Sequence, residues 1–212
     1  VIKLTSSGAL DSTFAGNGIL QLGATTFPTA TNDDIATAII VNSSQEVFVS
    51  GGTDNSLGEA NDDQEDAFVM KLDSSGALDT SFATNGIFQL GNVSAPGDAN
   101  VGDRFNDLIF DASSNIVVTG STSSSIEEPY SSSDIMLVRL TSSGVLDPSF
   151  DSNGVVHFGQ TSLGVERVYS DEDVEQIYID NSGIIYLTGE TSSNFGDFHM
   201  GGDDPFIIKY SP

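Results

Sequence analysis

The sequence of 212 residues carries 31 Asp and Glu against six Lys and Arg, which gives a formal net charge of −25. A surface this acidic, without basic stripes, disfavours nucleic acid and anionic membranes as partners. The absence of cysteine excludes disulfides and thiolate metal sites, and no apolar run approaches the roughly 20 residues of a membrane-spanning helix.

One stretch occurs three times in nearly the same wording, at 1–23, 69–91 and 137–159, and begins again at Ile207. A fixed period of this length predicts an array of one repeated unit. We therefore expect one segment, 1–212, with repeats 1–68, 69–136 and 137–206 and the start of a fourth repeat at 207–212. Because Val1 falls inside a repeat, we also expect the sequence to be an excerpt from a longer chain.

Each repeat contains four short runs that are typical of β-strands. In the second copy, VMKL and GIFQL are rich in β-formers, and they flank an SSG turn and a corner formed by Leu78, Asp79 and Phe82. The other half of a repeat supplies two more runs, such as 39–41 and 47–51. With no helical period anywhere, the pattern predicts an all-β protein, and four strands per repeat is the count for a propeller blade.

The TSSGALDxSFxxNGI wording, the strands VFVSGGT and IVVTGST, and the Asp-Ala-Phe-Val run at Asp66 resemble the delta-60 and related bacterial β-propeller repeats, most of which have no assigned function. The resemblance covers the whole chain. It implies four-stranded blades lettered a to d from the axis outward, with AIIV as a, VFVSGG as b, FVMKL as c and GIFQL as d. Three blades fall short of the four to eight that close a ring, so we expect further blades in the parent chain or closure by further copies.

The negative charge is predicted to gather on one face. Alternate connections of an antiparallel meander emerge at the same end, so the long d–a and b–c loops share a face. These loops hold 23 of the 31 acidic residues, opposed only by Arg104 and Arg167. The other four basic residues recur at one position of strand c: Lys3, Lys71, Arg139 and Lys209.

Some of these carboxylates recur in register before strands a and c, and two interpretations stay open for them. They could cap turns by accepting backbone N–H groups, or they could bind Ca²⁺, which takes six to eight oxygen ligands. No other cofactor is expected, and no calcium-loop consensus is present. The recurring residues are Asp34, Asp103 and Glu172, with Asp66, Asp134 and Asp204. The candidate Ca²⁺ ligands are Asp62, Asp63, Asp66, Asp171, Asp173, Asp203 and Asp204.

Catalytic residues are not evident, and we predict that the protein is not an enzyme. His157 is expected to be a polar position on strand d, and His199 a loop residue that could join Asp197 and Asp203 at a metal. No nucleophile motif, phosphate loop or dinucleotide fingerprint occurs, and the Glu127-Glu128 pair has no defined carboxylate separation.

We expect a secreted or surface-displayed bacterial module for recognition, adhesion or scaffolding. Its acidic loop face would bind a protein or a glycan on a surface, without membrane insertion. Two alternatives remain at this stage: an extracellular propeller polysaccharide lyase or glycosidase, and a structural protein that assembles through its repeats.

Overall fold

The computed structural model describes residues 1–21, 33–54, 65–90, 102–122, 133–159, 172–192 and 202–212. These ranges contain strands and turns and no helix, so none of them provides a helix that could cross a bilayer. The strands are β1 Asp34–Val41, β2 Val47–Thr53, β3 Asp66–Leu72, β4 Ile87–Leu90, β5 Asp103–Phe110, β6 Ile116–Thr122, β7 Asp134–Leu140, β8 Val155–Phe158, β9 Glu172–Ile179, β10 Ile185–Thr191 and β11 Asp204–Tyr210.

The strands form three antiparallel sheets, each in chain order. The first sheet is β1-β2-β3-β4, the second is β5-β6-β7-β8, and the third is β9-β10-β11. The predicted all-β fold built from four-stranded blades is confirmed. Consecutive sheets pack face to face, and the described sheets do not close into a ring.

Residues 1–21, here called the N-terminal segment, lie against the first sheet. Phe14 is only 1% exposed and packs with Val49 and Phe68. The c and d strands predicted in this segment are reduced to short pairings, including the bridge between Ile2 and Ile19. A two-stranded pair without a third strand beside it is marginal, which explains the difference.

Tight turns join the strands where the sequence places short polar side chains. Between β5 and β6, Asp111 Oδ1 accepts hydrogen bonds from the N–H groups of Ser113 and Asn115, at 2.8 Å each. In the corner between β3 and β4, Asp79 Oδ1 accepts the Ser81 N–H at 3.1 Å. The predicted bend at Asp79 is therefore confirmed, and local side-chain acceptors account for it.

The apolar core lies between the sheets. Val118 of β6 belongs to the cluster shared with the first sheet, whereas its neighbour Val117 belongs to the cluster shared with the third sheet. Because successive strand residues point to opposite faces, the second sheet is buried on both sides. This explains why its strands read as continuous apolar runs.

Two kinds of hydrogen bond join each described sheet to the next, and a third kind joins the N-terminal segment to the first sheet and the first sheet to the second. At strand starts, the Asp103 N–H donates to Glu65 O (2.6 Å) and the Glu172 N–H to Ser133 O (3.0 Å). From the innermost strands, Thr37 Oγ1 donates to Phe105 O (2.5 Å) and Asn106 Nδ2 to Val174 O (2.6 Å). At the c–d corners, the Ala15 N–H donates to Ser75 O (2.7 Å) and the Ala83 N–H to Ser143 O (2.8 Å).

A β-bulge in the innermost strand makes the second kind of bond possible. The register between β1 and β2 shifts between Ala36 and Ala38, so Thr37 leaves the ladder and reaches the next sheet. Gly120 stands opposite the same bulge in the second sheet, where a Cβ atom would overlap Arg104 O. A glycine here is therefore required by close backbone approach rather than by a positive φ.

Candidate functional site

Both kinds of long connection emerge at one edge of the sheets, as predicted. Asp34 pairs with Thr53, and Thr53 pairs with Asp66, so strand a begins, strand b ends and strand c begins side by side. We call this edge the loop edge. The second and third sheets repeat the arrangement as Asp103, Thr122 and Asp134, and as Glu172, Thr191 and Asp204.

In each sheet, a threonine at the end of strand b lies between the carboxylates that begin strands a and c. Neighbouring side chains donate hydrogen bonds to several of these carboxylates. Thr53 Oγ1 donates to Asp34 Oδ1 at 2.6 Å, and Gln89 Nε2 donates to Asp66 Oδ2 at 2.6 Å. Asp66 is only 2% exposed. A buried carboxylate needs such partners, because desolvation otherwise disfavours its charge. Asp34 and Asp66 therefore have a structural role, because each accepts a hydrogen bond from a neighbouring side chain.

A polar groove opens between the sheets at the loop edge, with a volume of about 390 Å³. Arg104 forms a two-point ion pair with Glu65 on one wall, with Nε to Oε1 and Nη2 to Oε2 both at 2.7 Å. This hydrogen bonding raises the pKa of Arg104. The groove also contains Asp103, Asp173 and Glu175. Because Glu65 already engages Arg104, negative charge dominates among the described residues of the groove.

The negative field extends to Asp54 at the end of the first sheet. Burial raises the pKa of Asp54, and the nearby charges of Glu65, Asp33 and Asp34 raise it further. Like charges close together oppose ionisation, so this shift is the expected sign of crowded carboxylates.

The opposite edge, here called the turn edge, carries basic residues that are already engaged. Lys71 Nζ lies 2.8 Å from Asp79 Oδ2 and 2.9 Å from Glu46 Oε1. Arg139 Nε lies 2.8 Å from Asp147 Oδ2, and the Arg139 guanidinium stacks on Phe150. The recurring positive charge of strand c therefore neutralises the corner carboxylates of its own repeat. The charge asymmetry inferred from the sequence holds among the described residues.

We expect the Lys71–Asp79 pair to give a specific acid dependence of stability. Hydrogen bonding from Lys71, then Ser81, lowers the pKa of Asp79 from 3.8 to about 2. The ionised form stabilises the fold above pH 3.8, and this contribution is lost as the pH falls towards 2. Urea unfolding should show that Asp79→Asn destabilises the protein at pH 6 and that the difference shrinks through this window. The shrinkage should be much smaller in a Lys71→Met background, and an equal shrinkage there would contradict the assignment.

The candidate Ca²⁺ ligands have different locations in the structure. Asp66 is buried beside Gln89, and Asp173 lines the groove. Asp203 and Asp204 lie at the start of β11. Among the described ranges, no group of three or more His, Cys, Asp or Glu residues is placed to hold a metal ion. Three of the predicted ligands lie outside the described residues: Asp62, Asp63 and Asp171.

The structure describes some of the residues that were considered for catalysis, and the others lie outside the described ranges. His157 lies on β8 opposite Met136, as Gln89 lies opposite Phe68, so the predicted position on strand d is confirmed. The other candidates, His199 with Asp197 and the Glu127-Glu128 pair, lie outside the described residues.

Sequence reasoning missed the bulge residues Thr37, Asn106 and Glu175 and the contact between Glu65 and Arg104. The bulge residues recur at a constant spacing, so a search for equivalent polar positions could have found them. The ion pair joins residues 39 positions apart, and it has no counterpart in the other repeats that would have marked it.

Comparison with known proteins agrees with this architecture. Residues 48–82 and 114–150 match the model of a family described as a domain of unknown function (DUF5122) beta-propeller. Each match covers strands b and c and the following corner, and the matches end at the equivalent residues Phe82 and Phe150. No curated protein matches the chain. The chain is thus built from β-propeller repeats, while the narrower resemblance to delta-60 repeats stays a prediction.

Proposed function

We propose that this β-propeller segment is a non-enzymatic recognition module that binds the basic surface of a partner protein through its loop edge. We place it outside the cell, in a secreted or surface-displayed bacterial protein. The observation that supports the proposal is the separation of charge: carboxylates crowd the loop edge, whereas ion pairs with the basic residues of strand c offset part of the negative charge at the turn edge.

The groove suggests how a basic side chain would be received. Arg104 shows that a guanidinium fits beside these carboxylates, because it already makes a two-point contact with Glu65. Asp173 and Glu175 line the same groove, and they would pair with a lysine or arginine of the partner. Charge-assisted hydrogen bonds of this kind are stronger than neutral ones and set the orientation of binding.

The test compares equal removal of charge at the two edges. Glu190 of β10 pairs with Asp173 at the loop edge, and Asp151 lies in the corner between β7 and β8 at the turn edge. Asp173→Asn and Glu190→Gln each remove one charge at the loop edge, and Asp151→Asn removes one at the turn edge. Asp151 has a φ of 43°, a conformation that asparagine tolerates. Binding to immobilised Lys- and Arg-rich peptides should weaken several-fold for the first two variants, and raised salt should weaken it further. Binding of the Asp151→Asn variant should be unchanged.

Two outcomes would contradict the proposal. One is an equal loss of binding for Asp151→Asn and the loop-edge variants, which would show a response to net charge alone. The other is preferential binding to a panel of neutral glycans, unaffected by the loop-edge substitutions, which would show that carboxylates are not the recognition groups.

Calcium binding stays a prediction for the loop edge. Thermal unfolding should show a higher midpoint with CaCl₂ than with MgCl₂, because Ca²⁺ accepts more oxygen ligands in less regular geometry. Asp204→Asn should reduce the difference, and Asp151→Asn should not. If NaCl at matched ionic strength reproduces the whole effect, screening explains it and the prediction of a calcium site is wrong.

A further inference from the structure

A second pocket opens at the turn edge, between the first and second sheets, with a volume of about 470 Å³. Its lining comes from the β1–β2 turn, the β5–β6 turn and the turn after β7, together with the strand ends beside them. Both sheets that form it have four strands. Small-molecule sites typically enclose roughly 300–1,000 Å³, so the pocket is large enough to receive a small ligand.

An aromatic side chain forms part of the apolar lining of this pocket. Phe110 at the end of β5 is half-buried and meets Phe48 of β2 edge to face, with the ring centroids 5.2 Å apart. Phe48 is only 3% exposed, so it holds Phe110 in place, and Phe110 is the more accessible ring. A ring in this position offers an apolar surface against which a ligand can pack.

A fixed network of polar side chains also lines the pocket. Lys71 Nζ lies 2.9 Å from Glu46 Oε1, and Asn42 Nδ2 donates to Glu46 Oε2 at 2.6 Å. Asn42 Oδ1 accepts the N–H groups of Ser44 and Glu46, at 3.0 Å each. Hydrogen bonding from Lys71, then Asn42, lowers the pKa of Glu46, so this carboxylate is an ionised acceptor at neutral pH. The positions of these donors and acceptors are therefore set before a ligand binds.

Serine side chains supply further hydrogen-bonding groups to the lining: Ser43, Ser44, Ser114 and Ser142. A hydroxyl group can both donate and accept, and it rotates to suit its partner. An entirely apolar ligand would remove these hydroxyls and the Lys71–Glu46 pair from water without giving them new partners, which is unfavourable. The lining therefore favours a ligand that carries several hydroxyl groups.

The charges at this pocket are already matched. Lys71 contacts Asp79 as well as Glu46, with Asp79 Oδ2 at 2.8 Å from Nζ. An anionic ligand would meet two carboxylates around one ammonium group, and the described lining residues include no second cation to attract it. A cationic ligand would find Glu46 already paired with Lys71. The favoured ligand is therefore uncharged.

The contact between the second and third sheets forms without these groups, although the two contacts belong to equivalent blades. The substitutions there are Ile179 for Phe110, Val117 for Phe48 and Asn115 for Glu46. Arg139, the equivalent of Lys71, pairs with Asp147 and stacks on Phe150. Packing of one blade on the next therefore does not by itself require the aromatic pair or the Lys71–Glu46–Asn42 network.

We propose that the turn-edge pocket binds an uncharged sugar ring. A pyranose carries hydroxyl groups around its edge and C–H groups on its faces, so one face packs on Phe110 while the hydroxyls bond to Glu46, Lys71 and the serines. A ligand of this size is expected to bind with a Kd of roughly 1 mM. We expect basic peptides to bind the loop edge more tightly through several charge pairs, so the pocket adds a second ligand to the proposed function.

Chemical-shift titration of the ¹⁵N-labelled chain with methyl β-glucoside, methyl β-galactoside and methyl α-mannoside tests the proposal. At least one of these sugars should give saturable shifts at the amides of residues 42–48 and 110–115, and none around Asp173 at the loop edge. Glucuronic acid adds a carboxylate, and cyclohexanol lacks most of the hydroxyl groups. Both should bind several-fold more weakly than the best neutral sugar.

Two substitutions that copy the third repeat should weaken sugar binding by roughly threefold to tenfold. Phe110→Ile removes the aromatic surface, and Ser114→Gly removes one hydroxyl group. Ser114 has a φ of 65°, which glycine adopts readily. Ser152→Gly is the matched control, because Ser152 has the same φ of 65° and lies in the corner between β7 and β8, outside the pocket lining. It should leave sugar binding unchanged, and circular dichroism should confirm that all three variants fold.

Peptide binding keeps this proposal separate from the proposed function. Phe110→Ile and Ser114→Gly should bind Lys- and Arg-rich peptides as the unaltered chain does, and Asp173→Asn should bind the sugar normally. Three results would overturn the proposal. They are the absence of shifts with all three sugars well above the expected Kd, equal weakening by Ser114→Gly and Ser152→Gly, and tighter binding of glucuronic acid or cyclohexanol than of every neutral sugar.

Discussion

Replacing Gly120 by alanine is expected to disrupt the second sheet and to cost about 3 kcal/mol or more of unfolding free energy. The new Cβ would overlap Arg104 O and lie 2.7 Å from Phe105 Cα. Both are backbone atoms, held by pairing between β5 and β6, so they cannot move aside as a flexible side chain would. Overpacking of a rigid site costs about 1–3 kcal/mol, and a backbone clash belongs at or above the upper end. Urea unfolding followed by circular dichroism measures the change.

Gly183→Ala provides the matched control for this prediction. Gly183 has a φ of 81°, and a Cβ there would meet nothing within 4 Å. Only the cost of the left-handed conformation applies, about 1 kcal/mol. Equal destabilisation by the two substitutions would show that the close approach at the bulge does not explain Gly120.

Phe82→Ala is expected to cost about 3–5 kcal/mol, the range for removing a buried aromatic side chain. Phe82 is 1% exposed, meets Phe48 edge to face at 5.9 Å, and fills the space beneath Gly144. Its loss would leave a cavity at the contact between the first and second sheets. Because domains are stable by only about 5–15 kcal/mol, this one change could remove a large share of the total.

The comparison with Tyr178→Ala tests whether packing explains the effect of Phe82. Tyr178 is 61% exposed, so its truncation should change the free energy of unfolding by less than about 0.5 kcal/mol. Thermal unfolding of both variants at the same protein concentration gives the measurement. A Phe82→Ala variant as stable as Tyr178→Ala would refute the role of Phe82 between the sheets.

Local sequence signals predicted the strands and turns because local chemistry determines them. The run at Val47 is apolar on both faces, and the turn at Asp111 is formed by its own carboxylate. Because the same pattern occurs in each repeat, every predicted strand and turn was supported by more than one copy. The shared edge of the long loops also followed from the sequence, since antiparallel order alone fixes it.

The details between sheets could not be predicted in the same way. Thr37 leaves the ladder because of a bulge, and a one-residue shift of register has no signature in composition. The Arg104–Glu65 contact depends on how two sheets are placed against each other. The number of acidic residues in the loops did not predict which carboxylate oxygens would lie close together. Of the described candidate ligands, Asp66 lies beside Gln89, Asp173 lines the groove, and Asp203 and Asp204 lie at the start of β11.

The uneven distribution of charge between the two edges gives the molecule an electric dipole. Among the described residues, Lys71 and Arg139 offset the charges of Asp79 and Asp147 and leave the turn edge less negative than the loop edge. An approaching polycation would be rotated towards the loop edge before contact, and a polyanionic surface would meet the turn edge first. The strand-c ion pairs therefore influence how the molecule is oriented during encounter, although they lie at the far side from the proposed site.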